Sequence, residues 1–448
     1  MSFDPAQPLA WQRKPSSYRR WIALGAIASV VGLSYLAWPS SSAVEEKLAT
    51  FTTPTHTELA AITPTDPSKP CGKTLVLDWD SWGIGIGSGV YTLTGAAMWA
   101  EAHGYEVLMS KGTNNYGLHS EYFVTPEPNC VVQDERAYDP WKCRNGEDGC
   151  GLLFNYTTGE LLHEEMPDRT ALGVWSLYPV NPANQWISRT LFDFKSLEGL
   201  PRFDSQKPLP RYLTIPPAMQ SAYRIMQGTF NRFFKLNPAM EKIVDQKAHE
   251  LDLQKPTRDR VPVIGVHFRA GDKMVYECKP TSMMSCANVT LHLEAAKEQL
   301  DAAYERYDFL QPTASNPNRP KLVLLTAEAD AFANFTRVND EQFGRLFDIV
   351  AAPDVNKNSK EKSFVQSSFN SLPLEARIAD AQDLLSNVAL LARRADGMVV
   401  SGNTNIGRMA VLMANRPLAV TNLDFWWHPT LFLLSYPKCV GLGVCIPS

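Results

Sequence analysis

Residues 263–277, VIGVHFRAGDKMVYE, set an apolar run, Val263 to Val266, directly before His267, Arg269, Asp272, Lys273 and Glu277. A short apolar run that ends in a polar cluster reads as a buried strand of an open parallel sheet, whose ligands bind at the carboxyl ends of the strands. Arg269 offers a planar fork suited to phosphate oxygens, and Lys273 adds a second positive charge. A surface loop with ordinary ion pairs is the alternative, and His267 alone would be a structural histidine.

Outward from this stretch the apolar period alternates. Strands are expected near 261–268, 321–326, 346–350, 397–401 and 417–421, with helices near 290–307, 328–337, 374–395 and 404–414 between them. Such alternation means a parallel sheet covered on both faces. Towards the N-terminus, helical patterns fill 216–235 and 238–252. From Lys73 the chain reads as strand (TLVLDWD), glycine-rich turn (WGIGIGSG), apolar helix (VYTLTGAAMWAEAHG, closed by Gly104) and strand (YEVLMS), a second β-α-β unit. Between the two lies Lys111 to Leu213, rich in Trp, Pro, Asn and Cys, which reads as loops and short elements tied by disulfides. The expected fold class is therefore α/β, two Rossmann-like domains facing a cleft.

A second candidate segment is ADGMVVSGNTNIGRMAVLMA, residues 395–414: strand, small-residue turn, helix. Asn403 or Thr404 can cap that helix, whose free N–H groups attract an anion, and Arg408 one turn in would reinforce a phosphate there. A plain helix cap is the alternative.

Together these segments resemble the α1,6-fucosyltransferase and protein O-fucosyltransferase superfamily, whose donor motif has the form HxRxxDK. Glu277 stands ten residues after His267, as an acid does in the α1,6 enzymes, and Ala395-Asp396 through Arg408 resembles the family's "AD" strand, Ser-rich turn and helix arginine. LLTAEADAF resembles the "TDD" strand end, with Glu328 as the second acid and Ala327 in place of the first; PAMEKIVDQKAHEL fits the helix before the motif. GIGSGVYTLTGAAMWAEAHGYEVLM looks like the family's glycine-rich first turn and helix, so Gly85, Gly87 and Ser88 become an acceptor-side loop. One departure is that Val388 stands where the family has an acid eight residues before Asp396, with Asp383 and Asn387 the nearest polar residues.

The resemblance implies a GT-B-like pair of domains, 71–255 on the acceptor side and 256–448 holding a nucleotide sugar, GDP-fucose in this family. His267, Arg269, Asp272, Glu328, Ser401, Asn403, Thr404, Asn405 and Arg408 would form the nucleotide-sugar site. Arg269 and Lys273 would stabilise the leaving diphosphate without an obligatory metal or other cofactor, and Glu277 would be the base in an inverting transfer to a glycan or glycoprotein. Two other classes stay open. Asp78-Trp79-Asp80 has the DxD form of metal-dependent GT-A enzymes, and a carbohydrate-binding protein of the same fold without turnover is conceivable. The WGIGIGSG glycines lack the GxGxxG spacing of a dinucleotide site.

The N-terminus frames the rest. Trp21 to Trp38 is 18 residues without charge or proline, long enough for a membrane-spanning signal-anchor. Arg13, Lys14, Arg19 and Arg20 against Asp4 give the first 20 residues a charge of +3, so they should stay cytosolic. A cleaved signal peptide is the alternative. Residues 39–70 hold sixteen Ser, Thr and Pro among thirty-two, the composition of an extended stem. The whole reads as a single-pass type II protein of the Golgi or ER. Eight cysteines, all beyond the span, and sequons at Asn155, Asn288 and Asn334 agree with a lumenal location. Cys278 with Cys286, and Cys439 with Cys445, are close enough in sequence to pair. Net charge is −4, or −7 without the tail's +3, which gives no electrostatic reason to expect nucleic acid.

Overall fold

The structure, a computed structural model, describes residues 69–72, 74–77, 79, 85–102, 104–111, 113–132, 150–152, 171–174, 215, 217–253, 261–270, 288–307, 319–328, 330–351, 366–402, 404–414, 419–423, 438–440 and 444–446. All lie in the compact unit Leu59–Ser448; the span expected over 21–38 and nearly all of the stem fall outside the described residues. Among the described residues no helix is long and apolar enough to cross a membrane.

The N-terminal half opens with β1 (Thr74–Leu77), α1 (Ile86–Ala102) and β2 (Glu106–Met109), followed by the hairpin strands β3 (Thr113–Asn114) and β4 (Gly117–Leu118) and by β5 (Cys150–Leu152) and β6 (Ala171–Val174). The main sheet is parallel in the order β2-β1-β6-β5, with Thr74 level with both Glu106 and Ala171. Gly104 takes the left-handed conformation (φ +73°) that ends α1, as its type and position suggested. The helix starts earlier than its apolar period implied. Gly87, Ser88 and Gly89 belong to its first turn, with the amides of Ser88 and Gly89 donating to Gly85 O at 2.8 and 3.2 Å. A disulfide, Cys71–Cys130, ties the chain before β1 to the segment after the hairpin.

Then come α2 (Pro217–Phe233) and α3 (Pro238–Glu250). The second sheet is built from β7 (Val263–His267), α4 (Val289–Arg306), β8 (Lys321–Leu325), α5 (Ala331–Phe343), β9 (Asp348–Ala351), α6 (Gln366–Asn370), α7 (Leu374–Arg394), β10 (Gly397–Val400), α8 (Asn405–Met413) and β11 (Val420–Asn422). Its strands are parallel in the order β11-β10-β7-β8-β9. The chain steps outward from β7 to β9, then returns through α6 and α7 to lay β10 on the other side of β7. This is the doubly wound order, and its switch point lies between β7 and β10. A last antiparallel pair, β12 (Lys438–Val440) and β13 (Val444–Ile446), sets Cys439 opposite Cys445 in backbone register; Cys278 and Cys286 fall outside the described residues.

The apolar run of β7 is explained by burial on both sides. Ile264, Val266 and Phe268 join the cluster formed with Leu293, Leu300 and Phe335 of α4 and α5, while Val263 joins the cluster that includes Leu391 of α7. Each such aliphatic chain contributes on the order of 2 kcal/mol. At Gly265 a Cβ would sit 2.8 Å from Leu391 Cγ, so only glycine lets α7 lie this close to the strand.

The packing shows what surrounds the departure at Val388. Val388 is buried in the apolar cluster that includes Leu385, Ala389 and Leu391 of α7. Asp383 and Asn387, its nearest polar neighbours in sequence, are occupied by Lys247 of α3. The Lys247 ammonium lies 2.6 Å from Asp383 Oδ1 and 2.7 Å from both Ser386 Oγ and Asn387 Oδ1. A buried ammonium needs such a full set of acceptors. Asp396 is also structural: it begins β10 at the end of the sheet remote from the site, where its carboxylate accepts from Val263 N (3.0 Å) and its own N–H donates to Val263 O (2.7 Å).

Candidate functional site at the sheet switch point

At the carboxyl end of β7, Phe268 is the anchor. Its N–H donates to Leu325 O (2.9 Å), and its ring stands edge-on to His292 and Phe335, with centroids 5.1 and 5.2 Å away. Strand alternation then puts His267 and Arg269 on the side opposite Phe268. Glu328, just beyond β8, holds the following loop by accepting from Ala270 N at 3.3 Å. Asp272, Lys273 and Glu277 lie outside the described residues, as do Asn403, Asp78 and Asp80.

One strand over, the turn after β10 is bonded almost entirely to itself and its neighbours. Thr404 caps α8: its Oγ1 accepts from Gly407 N (2.9 Å) and donates to Ser401 O (2.8 Å), while its N–H donates to Ser401 O (3.1 Å). Gly402 N–H donates to Asn422 Oδ1 at the end of β11 (3.0 Å), and Gly402 O accepts from Arg408 Nε (2.9 Å). Arg408 also donates to Asn405 Oδ1 (3.1 Å), and its guanidinium lies 5.3 Å above the centre of the Tyr91 ring. These bonds engage the amides of Gly402, Thr404, Gly407 and Arg408.

The far end of α8 is held by α2. Tyr223 Oη donates to Val411 O (2.7 Å), and Gln227 Nε2 to Leu412 O and Ala414 O (both 3.1 Å), so carbonyls at the end of the helix are held by side chains of α2. Burial drives the Tyr223 hydroxyl pKa far above its usual range. Tyr91 is shifted the same way by burial, with the Arg408 charge pulling it back down.

The structure joins the two halves at this point. Gly87 is where the first turns of α1 and α8 touch: a Cβ there would lie 2.9 Å from Ile406 Cδ1 and 3.1 Å from Asn405 C. Asn405 Nδ2 donates to Ser88 Oγ. Segments leaving the carboxyl ends of both sheets meet again at the hairpin, where Asn115 bonds Asn370 (2.6 Å) and Arg377, and Tyr116 stacks on Phe369 at 5.1 Å. So Gly87 and Ser88 come together with Thr404, Asn405 and Arg408, and Ser401 lies beside the end of the strand carrying His267 and Arg269, since Val399 pairs with Val266. Asn422 and Tyr91 were not foreseen, because neither has a local signal: one ends a short strand and the other looks like a core aromatic.

Of the sequons, Asn288 is exposed and caps α4 by accepting from Leu291 N (3.1 Å). Asn334 is exposed on α5, and Asn155 lies outside the described residues. Among the described residues there is no group of three or more His, Cys, Asp or Glu able to hold a metal ion.

No protein-family model and no curated protein matches the chain. Solved structures do. A mutant of FUT1 from Arabidopsis thaliana in complex with GDP is similar at 13% identity over 90% of this chain and 78% of that one, with a TM-score of 0.41. POFUT1 in complex with GDP is similar at 10% identity over 81% of this chain and 100% of that one, with a TM-score of 0.36.

Proposed function

We propose that this protein is a glycosyltransferase of the secretory pathway that moves fucose from GDP-fucose to a glycan or glycoprotein, with inversion and without an obligatory metal. Residues 256–448 would hold the nucleotide sugar and 71–255 the acceptor, as two GT-B-like domains. The observation that carries this reading is the meeting of three features at one switch point: the HxR end of β7, the capped turn after β10, and the first turn of α1 set against the first turn of α8. Two helix N-termini brought together concentrate positive potential, and a diphosphate is the ligand that such a place favours.

In this scheme the acceptor hydroxyl oxygen forms a bond to the anomeric carbon as the bond from that carbon to the β-phosphate oxygen breaks. Charge grows on the diphosphate, where Arg269 and Lys273 meet it. Glu277 takes the acceptor proton. Residues 21–38 would anchor the chain as a type II protein of the Golgi or ER.

The test is calorimetric titration of the full chain in detergent with GDP, with and without EDTA, followed by transfer from GDP-fucose to a panel of glycans. GDP binding and transfer that survive chelation are the expected outcome. Activity lost to EDTA and restored by manganese would move the chemistry to Asp78 and Asp80. Glycan binding with no affinity for GDP would make the protein a lectin.

A further inference from the structure

We propose that Asn422 and Arg408 are a pair of positioning residues that clamp Gly402 through the two peptide groups flanking its α-carbon and thereby aim the switch-point turn, so that Arg408 works through the turn rather than as a ligand of the donor phosphates. This rests on the proposed function above for its catalytic consequence, though not for the clamp itself.

Gly402 is gripped from two directions. Asn422 Oδ1 accepts its N–H at 3.0 Å from the β11 side, and Arg408 Nε donates to its carbonyl at 2.9 Å from the α8 side. The N–H belongs to the peptide group before the Gly402 α-carbon and the carbonyl to the one after it, so the two bonds together restrict φ and ψ of this residue and fix where the turn points. The residue must be glycine here because a Cβ would fall on the Asn422 amide, 2.5 Å from Cγ. Asn422 is largely buried, so its side chain is not a solvent-facing polar group placed there by chance.

Arg408 is already committed within the turn. Its Nε is spent on Gly402 O, one terminal nitrogen lies 3.1 Å from Asn405 Oδ1, and its plane rests on Tyr91 of α1. Asn405 in turn bonds Ser88 of α1. The same arginine that aims the turn therefore also ties it to the N-terminal half. A lysine could carry the charge but could not reach Gly402 O and Asn405 Oδ1 together while lying flat on a ring.

The clamp predicts non-additivity. Asn422 and Arg408 hold the two peptide groups that flank one α-carbon, so the conformation of Gly402 is set only while both bonds stand, and releasing both adds little to releasing one. The experiment uses the full chain and the variants Asn422→Leu, Arg408→Gln, Arg408→Lys and the double Asn422→Leu/Arg408→Gln. Amide exchange of the 401–414 segment is followed for each, alongside kcat and KM with GDP-fucose. Each single variant should speed exchange of the segment by about tenfold or more, with the double variant no faster than the quicker single. The fall in kcat should be about tenfold in each single, Arg408→Lys included, and no larger in the double. Multiplicative losses in the double variant, or an Arg408→Lys enzyme close to wild type, would make Arg408 a charge-based phosphate ligand and overturn the proposal. Unchanged exchange in Asn422→Leu would overturn it as well. Should the wild-type chain neither bind GDP nor transfer fucose, the functional reading fails, and the exchange arm alone decides the clamp.

Discussion

Replacing Gly407 by alanine should destabilise the protein although the glycine sits inside a helix. Its backbone does not require glycine, since the positive-φ glycines are Gly104, Gly117 and Gly344 among the described residues. Alanine should on propensity alone add about 1 kcal/mol of stability in a helix interior. What forbids it is space: a Cβ would collide with the Ser401 carbonyl, standing 3.1 Å from Ser401 C and 2.9 Å from Thr404 Oγ1. Both neighbours are committed, Ser401 O to Thr404 and Thr404 Oγ1 to the Gly407 amide. Overpacking costs roughly 1–3 kcal/mol and a lost cap about 1 kcal/mol, so after the propensity gain the net loss should be about 2 kcal/mol. Gly228 supplies the control, because it lies in α2 with nothing within 4 Å of a Cβ, and Gly228→Ala should gain up to about 1 kcal/mol. Urea unfolding of both variants reads the difference directly. If Gly407→Ala matched Gly228→Ala in raising stability, the steric account of the turn would be refuted.

Three further outcomes follow from the same geometry. His119 is buried, its Nε2 donating to Phe233 O (2.9 Å), and burial lowers its pKa from the usual 6.5 to about 4. The unfolded chain therefore binds a proton first on acidification, so stability is full above about pH 6.5 and falls by about 3 kcal/mol towards pH 4; His119→Phe should flatten that slope, and identical slopes in both proteins would count against the assignment. Lys247→Met should cost roughly 3–5 kcal/mol by leaving the Asp383 carboxylate without its cation, and Asp383→Leu added to it should recover much of the loss in the same unfolding assay. Arg269→Lys should lower kcat by about 10² to 10³ with an unchanged thermal midpoint, because a lysine lacks the fork that meets two phosphate oxygens; near-normal turnover would remove Arg269 from the proposed clamp on the diphosphate.

Much of the site was legible in short stretches of sequence because the signals are local. The apolar run of Val263 to Val266, the threonine three residues before Gly407, and Gly104 after a helical pattern each report a backbone preference set within a turn or two. Alternation of such segments was enough to give a parallel α/β arrangement. Choice of partner was not available locally. Arg408 looked like a free cation, and only the contact of β11, α8 and α1 shows it bonded to Gly402 and laid over Tyr91. Gly87 read as loop and proved to be the point where two helices touch, and Cys71 found Cys130 59 residues away. Asp383 and Asn387 resembled substitutes for a missing ligand acid until Lys247, more than 130 residues earlier, was seen to occupy them. The sequence by itself determined which segments are strands and helices and how the turns between them close, since those depend on dihedral preference and the period of apolar residues. The tertiary structure alone decided which polar side chains are consumed in holding the turn, because a hydrogen bond needs its partner within about 3 Å and distance along the chain says nothing about that.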